Sequence, residues 1–251
     1  MTVDPASPIR APFRGVMNLN AATAWVLVVL FCGVRFGLVM LANAGAGFGL
    51  VTPVFILMAL LPFILLTRAG RQRIGLVRVA RPGFLVLAAS LAAGLCIALG
   101  LVFQALYAGT PGDAFGYVAR GYPPVPDDPN GRLIMFGVVA AMSMLFSPIG
   151  EELFFRGLIH EGFRTRYGEA GASVLDASTF ALVHLSHFGL IWTGIGWSFL
   201  PMPALIWAAG MFAAALLFSW ARRLTGSLWG AVLTHMVFNL VMTAWIFLVV
   251  I

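Results

Sequence analysis

An all-α fold, a polytopic transmembrane helical bundle of about seven spans, follows from three observations. The chain of 251 residues is 61% hydrophobic and only 10% charged, whereas a water-facing domain carries about a quarter charged residues. Apolar runs of about 20 residues, the length that crosses a bilayer as a helix, recur from end to end. Most of the arginines lie in short polar stretches between those runs.

Ala22 to Ala42 reads as the first span, Gly49 to Leu66 as the second and Phe84 to Tyr107 as the third. The fourth begins at Leu133 and continues to about Phe163. Ala170 to Phe188, Met202 to Ala221 and Ser227 to Ile251 complete the set. Residues 189–200 are apolar but too short to cross. With Gly194, Gly196 and Pro201 beside them, they read as a re-entrant or interfacial helix or connector. Residues 108–130, with the Tyr122-Pro123-Pro124-Val125-Pro126 run, read as a lid or a tether. Residues 1–20 hold Asp4, Arg10, Arg14 and three prolines. They lack the apolar core of a secretory signal and read as a polar, disordered or interfacial tail. Residues 21–251 then form a single membrane domain without internal repeats.

Arg10 and Arg14, the five arginines from Arg68 to Arg81, Arg164 and Arg166, and Arg222 and Arg223 all fall on one side of a seven-span chain. Asp113, Asp127 and Asp128 fall on the other, with Arg120 and Arg132. The excess of arginine places the N-terminus in the cytoplasm and the C-terminus outside. The same distribution accounts for the formal charge of +6, so the expected partner is the lipid bilayer and no nucleic acid. Cys32 and Cys96 sit within apolar runs and read as small packing residues with no disulfide or metal role.

Ionisable side chains in hydrocarbon are costly and point to function. Here they gather in three spans: Glu151, Glu152 and Arg156; Asp176, His184 and His187; His235 with Asn239. At about 1.5 Å of rise per residue, Glu151, His184 and His235 each lie roughly 18–21 Å from the arginine-marked end of their helices. One shared site near mid-membrane is the consequence. Glu152 and Arg156 are four apart, share a helix face and read as a structural ion pair, since a buried charge needs a partner. Glu151 lies about 100° away around the helix and is left free for a water or a substrate. Phe180 is four before His184 and walls the pocket beside the imidazole. His187 reads as interfacial and His160 as a bystander. Asp176 lies within reach of headgroup water, and Arg35 in the first span snorkels outward.

A carboxylate and two imidazoles around one water suit hydrolysis, with the carboxylate as general base and a polar pair for the oxyanion. Glu151, His184 and His235 equally make a three-ligand zinc set with water in fourth place. The residues leave the zinc and the metal-free versions open.

The motifs Glu151-Glu152-Leu153-Phe154-Phe155-Arg156, Phe180-Ala181-Leu182-Val183-His184 and His235-Met236-Val237-Phe238-Asn239 stand in an order that resembles the type II CAAX prenyl endopeptidase family, also called the CPBP or Abi group of intramembrane proteases. Thr225-Gly226-Ser227-Leu228-Trp229 adds to the likeness, which covers about Leu133 to Val241, the expected catalytic core. The resemblance implies that Glu151 and His184 activate water, that His235 and Asn239 hold the oxyanion, and that Glu152 and Arg156 hold the architecture. It implies a membrane protein or peptide as substrate. The compact loops look like those of bacterial members, which implies a bacterial inner-membrane setting. Two other classes compete. One is a non-catalytic scaffold or bacteriocin-immunity protein. The other is a proton-coupled transporter, against which stand the single level of the polar groups and the lack of inverted repeats. Neither a His-Glu-x-x-His motif nor a Gly-x-Ser-x-Gly turn is present.

Overall fold

The computed structural model describes residues 7–251. Residues 1–6 of the expected tail, Asp4 among them, lie outside the described residues. Among the described residues there are nine α-helices: α1 Ala21–Leu41, α2 Thr52–Leu65, α3 Arg68–Arg73, α4 Phe84–Tyr107, α5 Ala114–Ala119, α6 Pro129–Glu152, α7 His160–Val183, α8 Pro201–Thr225 and α9 Leu228–Trp245. A wider π-helical segment, Leu153–Ile159, joins α6 to α7. The fold is an all-α polytopic bundle.

Six helical segments among the described residues are long and apolar enough to cross a membrane. The fourth, Pro129–Ser186, is 58 residues long and holds both the fourth and fifth expected spans. It turns back at Gly168, whose φ of 68° and ψ of −178° are open essentially to glycine alone. The two arms then run antiparallel. Phe155 meets Phe180 with ring centroids 5.4 Å apart, and His160 meets Glu169 at 3.1 Å.

Local chemistry sets the helix ends. The side chains of Asn20, Asp113, Asp128 and Ser227 each accept a backbone N–H at the start of α1, α5, α6 and α9, which satisfies a donor the helix leaves orphaned. Gly226 closes α8 in the left-handed conformation, the common glycine stop. The outward faces are apolar: Val26, Val29, Leu30, Val86, Leu101 and Leu133 are exposed, as a lipid solvent requires. The interior is aromatic, with Phe103, Phe115, Phe154, Phe155, Phe180, Phe188 and Phe218 buried. α9 packs against α4 and α6, and α7 against α1 and α8. Gly150 lets α6 approach the Phe55 carbonyl of α2, and Gly162 approaches Ala24 of α1 and Asn20, the residue that caps it. Cys32 and Cys96 are free thiols that pack among these helices.

Two expectations are corrected. Residues 189–200 form no re-entrant helix but a β-hairpin, β1 Leu190–Trp192 against antiparallel β2 Trp197–Phe199. Gly194 has a φ of 95°, which breaks the helix and suits a tight turn. The tail is also not disordered from Ser7 onward. Ile9 pairs with Leu66 in an antiparallel bridge and is buried. Arg10 N–H donates to Leu65 O, and Thr67 N–H to Pro8 O, both at 2.9 Å. Ile9, Leu66, Ile74 and Leu228 form a second apolar cluster at the arginine-rich end.

Candidate active site inside the bundle

Five segments converge below the residue 42–51 connector. α1 supplies Arg35, the end of α6 supplies Glu151 and Glu152, α7 supplies Phe180, and α9 supplies His235 and Asn239. His184 opens the short 3₁₀ turn that follows α7. A cavity of about 530 Å³ lies among them. Its polar wall includes Arg35, Ser143, Ser147, His184, His235 and Asn239. Phe55, Met142, Trp207, Phe218 and Phe238 are among its apolar walls. Phe180 also lines it, with its ring centroid 4.2 Å from that of His184.

Glu151 is fully buried and meets Arg35 Nη2 through Oε1 at 2.9 Å. Ser147 Oγ donates to the same oxygen at 2.8 Å. Glu151 is thus not left free, and Arg35 does not snorkel outward; it is 1% exposed. Arg35 begins about 21 Å into α1, counted at 1.5 Å per residue from Ala21. That depth matches His184, so the depth count applied to the first span would have found it. His184 Nε2 lies 3.8 Å from Glu151 Oε2. His184 Nδ1 donates to Phe180 O at 2.7 Å, which leaves Nε2 an acceptor. Arg35 Nη2 reaches that Nε2 at 3.3 Å and His187 Nε2 at 3.2 Å. One nitrogen with two hydrogens therefore serves three acceptors. His187 is part of this cluster and not an interfacial residue, because the turn after α7 folds it back beside His184 with ring centroids 5.4 Å apart.

The second acid has a different partner. His235 Nδ1 donates to Glu152 Oε1 at 2.8 Å. Glu152 is therefore more than the mate of Arg156: it fixes the orientation of His235, whose ring stacks on Phe218 at 4.5 Å. Arg156 Nε lies 3.3 Å from Glu152 Oε2 and 3.6 Å from Asp176 Oδ2. Its guanidinium stands 4.4 Å above the Phe180 ring, a cation–π contact. Asp176 is fully buried and so not at headgroup water, and His160, 1% exposed, is no bystander but lies between Glu169 and Asp176. Helical packing of the two arms turns both inward. Asn239 Nδ2 donates to Ser143 O at 2.9 Å, with its second N–H left over.

The zinc set does not assemble in this arrangement. Glu151 and His184 face each other across the Arg35 guanidinium, which supplies the positive charge there, while His235 turns to Glu152. No group of three or more His, Cys, Asp or Glu side chains among the described residues is placed to hold a metal ion. The donor set does not fit the ion.

The 108–130 stretch roofs the cavity. Val118, Gly121, Tyr122 and Pro123 line it, and Tyr117 Oη accepts the Trp192 N–H at 2.7 Å. Burial pushes the Tyr117 phenol above its ordinary pKa, so the hydroxyl stays neutral. The stretch is an ordered lid latched to the β-hairpin.

Residues 133–241 match the family model described as type II CAAX prenyl endopeptidase Rce1-like. This segment is similar to that family. It contains Glu151, Glu152, Arg156, Phe180, His184, His235 and Asn239, whereas Arg35 and the lid lie outside it. At family level the likeness supports a CAAX-type intramembrane protease, in an integral multi-pass membrane protein. No curated protein and no solved structure matches the chain.

Proposed function

We propose that the protein is an intramembrane endopeptidase that cleaves membrane-associated or lipidated proteins with a water activated by Glu151. The observation that carries the reading is the meeting of the buried Glu151 Oε2 with Nε2 of His184, a cavity-lining residue, across 3.8 Å. Both atoms are acceptors, and Oε2 has no hydrogen-bond partner among the described residues. A water donates one hydrogen to each and turns a lone pair toward the cavity. To do so it displaces Arg35 from His184, a contact that Nη2 can give up because its hydrogens are oversubscribed.

On attack, Glu151 takes the water's proton as general base and passes it to the leaving amine. The free N–H of Asn239 faces the oxyanion, as preorganised donors do in such sites. His235 donates beside it from Nε2 when it carries both ring protons, with Glu152 as counter-ion. Arg35 and Ser147 hold Glu151 in place. In this reading no step passes through a metal. The largely apolar cavity suits a lipid-anchored or membrane-embedded substrate. Its margin includes Val138 and Met142, both about half exposed on the lipid-facing surface of α6.

The deciding experiment compares membrane peptides from cells that carry the wild type or Glu151→Gln. Peptides that persist uncleaved only with Glu151→Gln, at equal protein level and melting temperature, support the protease. A variant that retains every biological effect supports a scaffold or immunity role instead.

A further inference from the structure

Behind the cavity wall, away from the lid, runs a line of buried polar side chains of which the hydrolytic reading uses only the first. It starts at Glu152, the partner of His235, and passes Arg156, Asp176 and His160 to Glu169. The first four are at most 1% exposed, while Glu169 is about half exposed at the hairpin tip beside Arg223. The spacings along it are 3.3, 3.6, 3.9 and 3.1 Å. The two middle gaps are longer than direct hydrogen bonds.

Eleven buried side-chain nitrogen or oxygen atoms lack a hydrogen-bond partner among the described residues, and seven belong to Glu152, Arg156, His160 and Asp176. All three Arg156 nitrogens and both Asp176 oxygens are among them. Buried polar atoms are rarely left orphaned. A polar contact stretched beyond a direct bond, with two to four polar groups around it, is the setting of a bridging water.

We propose that Arg156, His160 and Asp176 enclose a cluster of bound waters, continuous from Glu152 to the surface at Glu169. The ligand class is water itself, held by a guanidinium, a carboxylate and an imidazole. The mouth lies at the arginine-rich end, opposite the lid. A site whose roofed cavity is filled by an apolar substrate thereby keeps contact with solvent through its back wall, at the Glu152–His235 pair. That service to hydrolysis rests on the protease reading; the hydration does not.

Solid-state NMR of the full chain in lipid nanodiscs tests this by magnetisation transfer from water to side-chain nitrogens. Arg156 is assigned through its own backbone. Strong transfer to the Arg156 guanidinium is expected, as for the partly exposed Arg164, with none to the backbone amide of fully buried Ala215. Glu169→Leu, a change at a half-exposed position, should cut the Arg156 transfer by closing the mouth. An Arg156 as dry as Ala215 in the wild type overturns the proposal, as does transfer unchanged in Glu169→Leu. Neither result depends on activity. A dry Arg156 leaves the protease standing, and an inert Glu151 leaves the waters standing.

Discussion

Arg35 joins the first helix to the end of α6 through a single nitrogen. It is the cation of a fully buried carboxylate, and removal of one partner of such a pair leaves an uncompensated charge. Arg35→Ala should therefore destabilise the protein by about 3–5 kcal/mol, seen as a lower melting temperature in detergent or nanodiscs. Arg35→Lys keeps the charge but not the planar fork and should fall between the two. At the site itself, Glu151→Gln should lower peptide hydrolysis by about 10²–10⁴-fold, the usual worth of a general base, with folding intact. Because the guanidinium stands where a divalent ion would, chelators should leave activity unchanged; a loss restored by zinc would sink the metal-free reading. The sequence disclosed the acids, histidines and Asn239 because each is an ionisable or amide group at one depth. It concealed which acid meets which histidine, since Glu151 and Glu152 are neighbours in the chain and only the packing of α7 and α9 distinguishes them.

Among the elements, the long helical arm from Pro129 to Ser186 does most to build the site. Its reversal at Gly168 brings Asp176, Phe180 and His184 back alongside Arg156, Phe155 and Glu151. Gly168→Ala forces a side chain into a glycine-only conformation and should cost about 1–3 kcal/mol, read by thermal unfolding. The spans were legible because lipid demands apolar runs of fixed length. The β-hairpin was not, because Leu190–Phe199 is as apolar as a helix and its register depends on Trp192 meeting Trp197. Nor was the docking of Ile9 on Leu66, a contact between segments far apart in sequence.

For the molecule as a whole, the polar groups divide into two ends around one interior. The cavity lies under the lid and the 42–51 connector, while the Arg156 line runs to the arginine-rich end. The lid is held to the β-hairpin by the Tyr117 hydroxyl. Tyr117→Phe should remove about 1 kcal/mol and raise amide exchange across residues 114–123, with little change at α9, as hydrogen-exchange mass spectrometry would read. Equal exchange in both proteins would show that the latch lies elsewhere.

Hydropathy and the three spaced motifs were sufficient for a membrane-spanning helical bundle with a polar centre, because both are written in the order of residues along single helices. The tertiary structure alone decided the pairings: Arg35 with Glu151, Glu152 with His235, and His187 beside His184. These are contacts between helices, set by how the bundle turns each face inward, and no spacing along one helix encodes them.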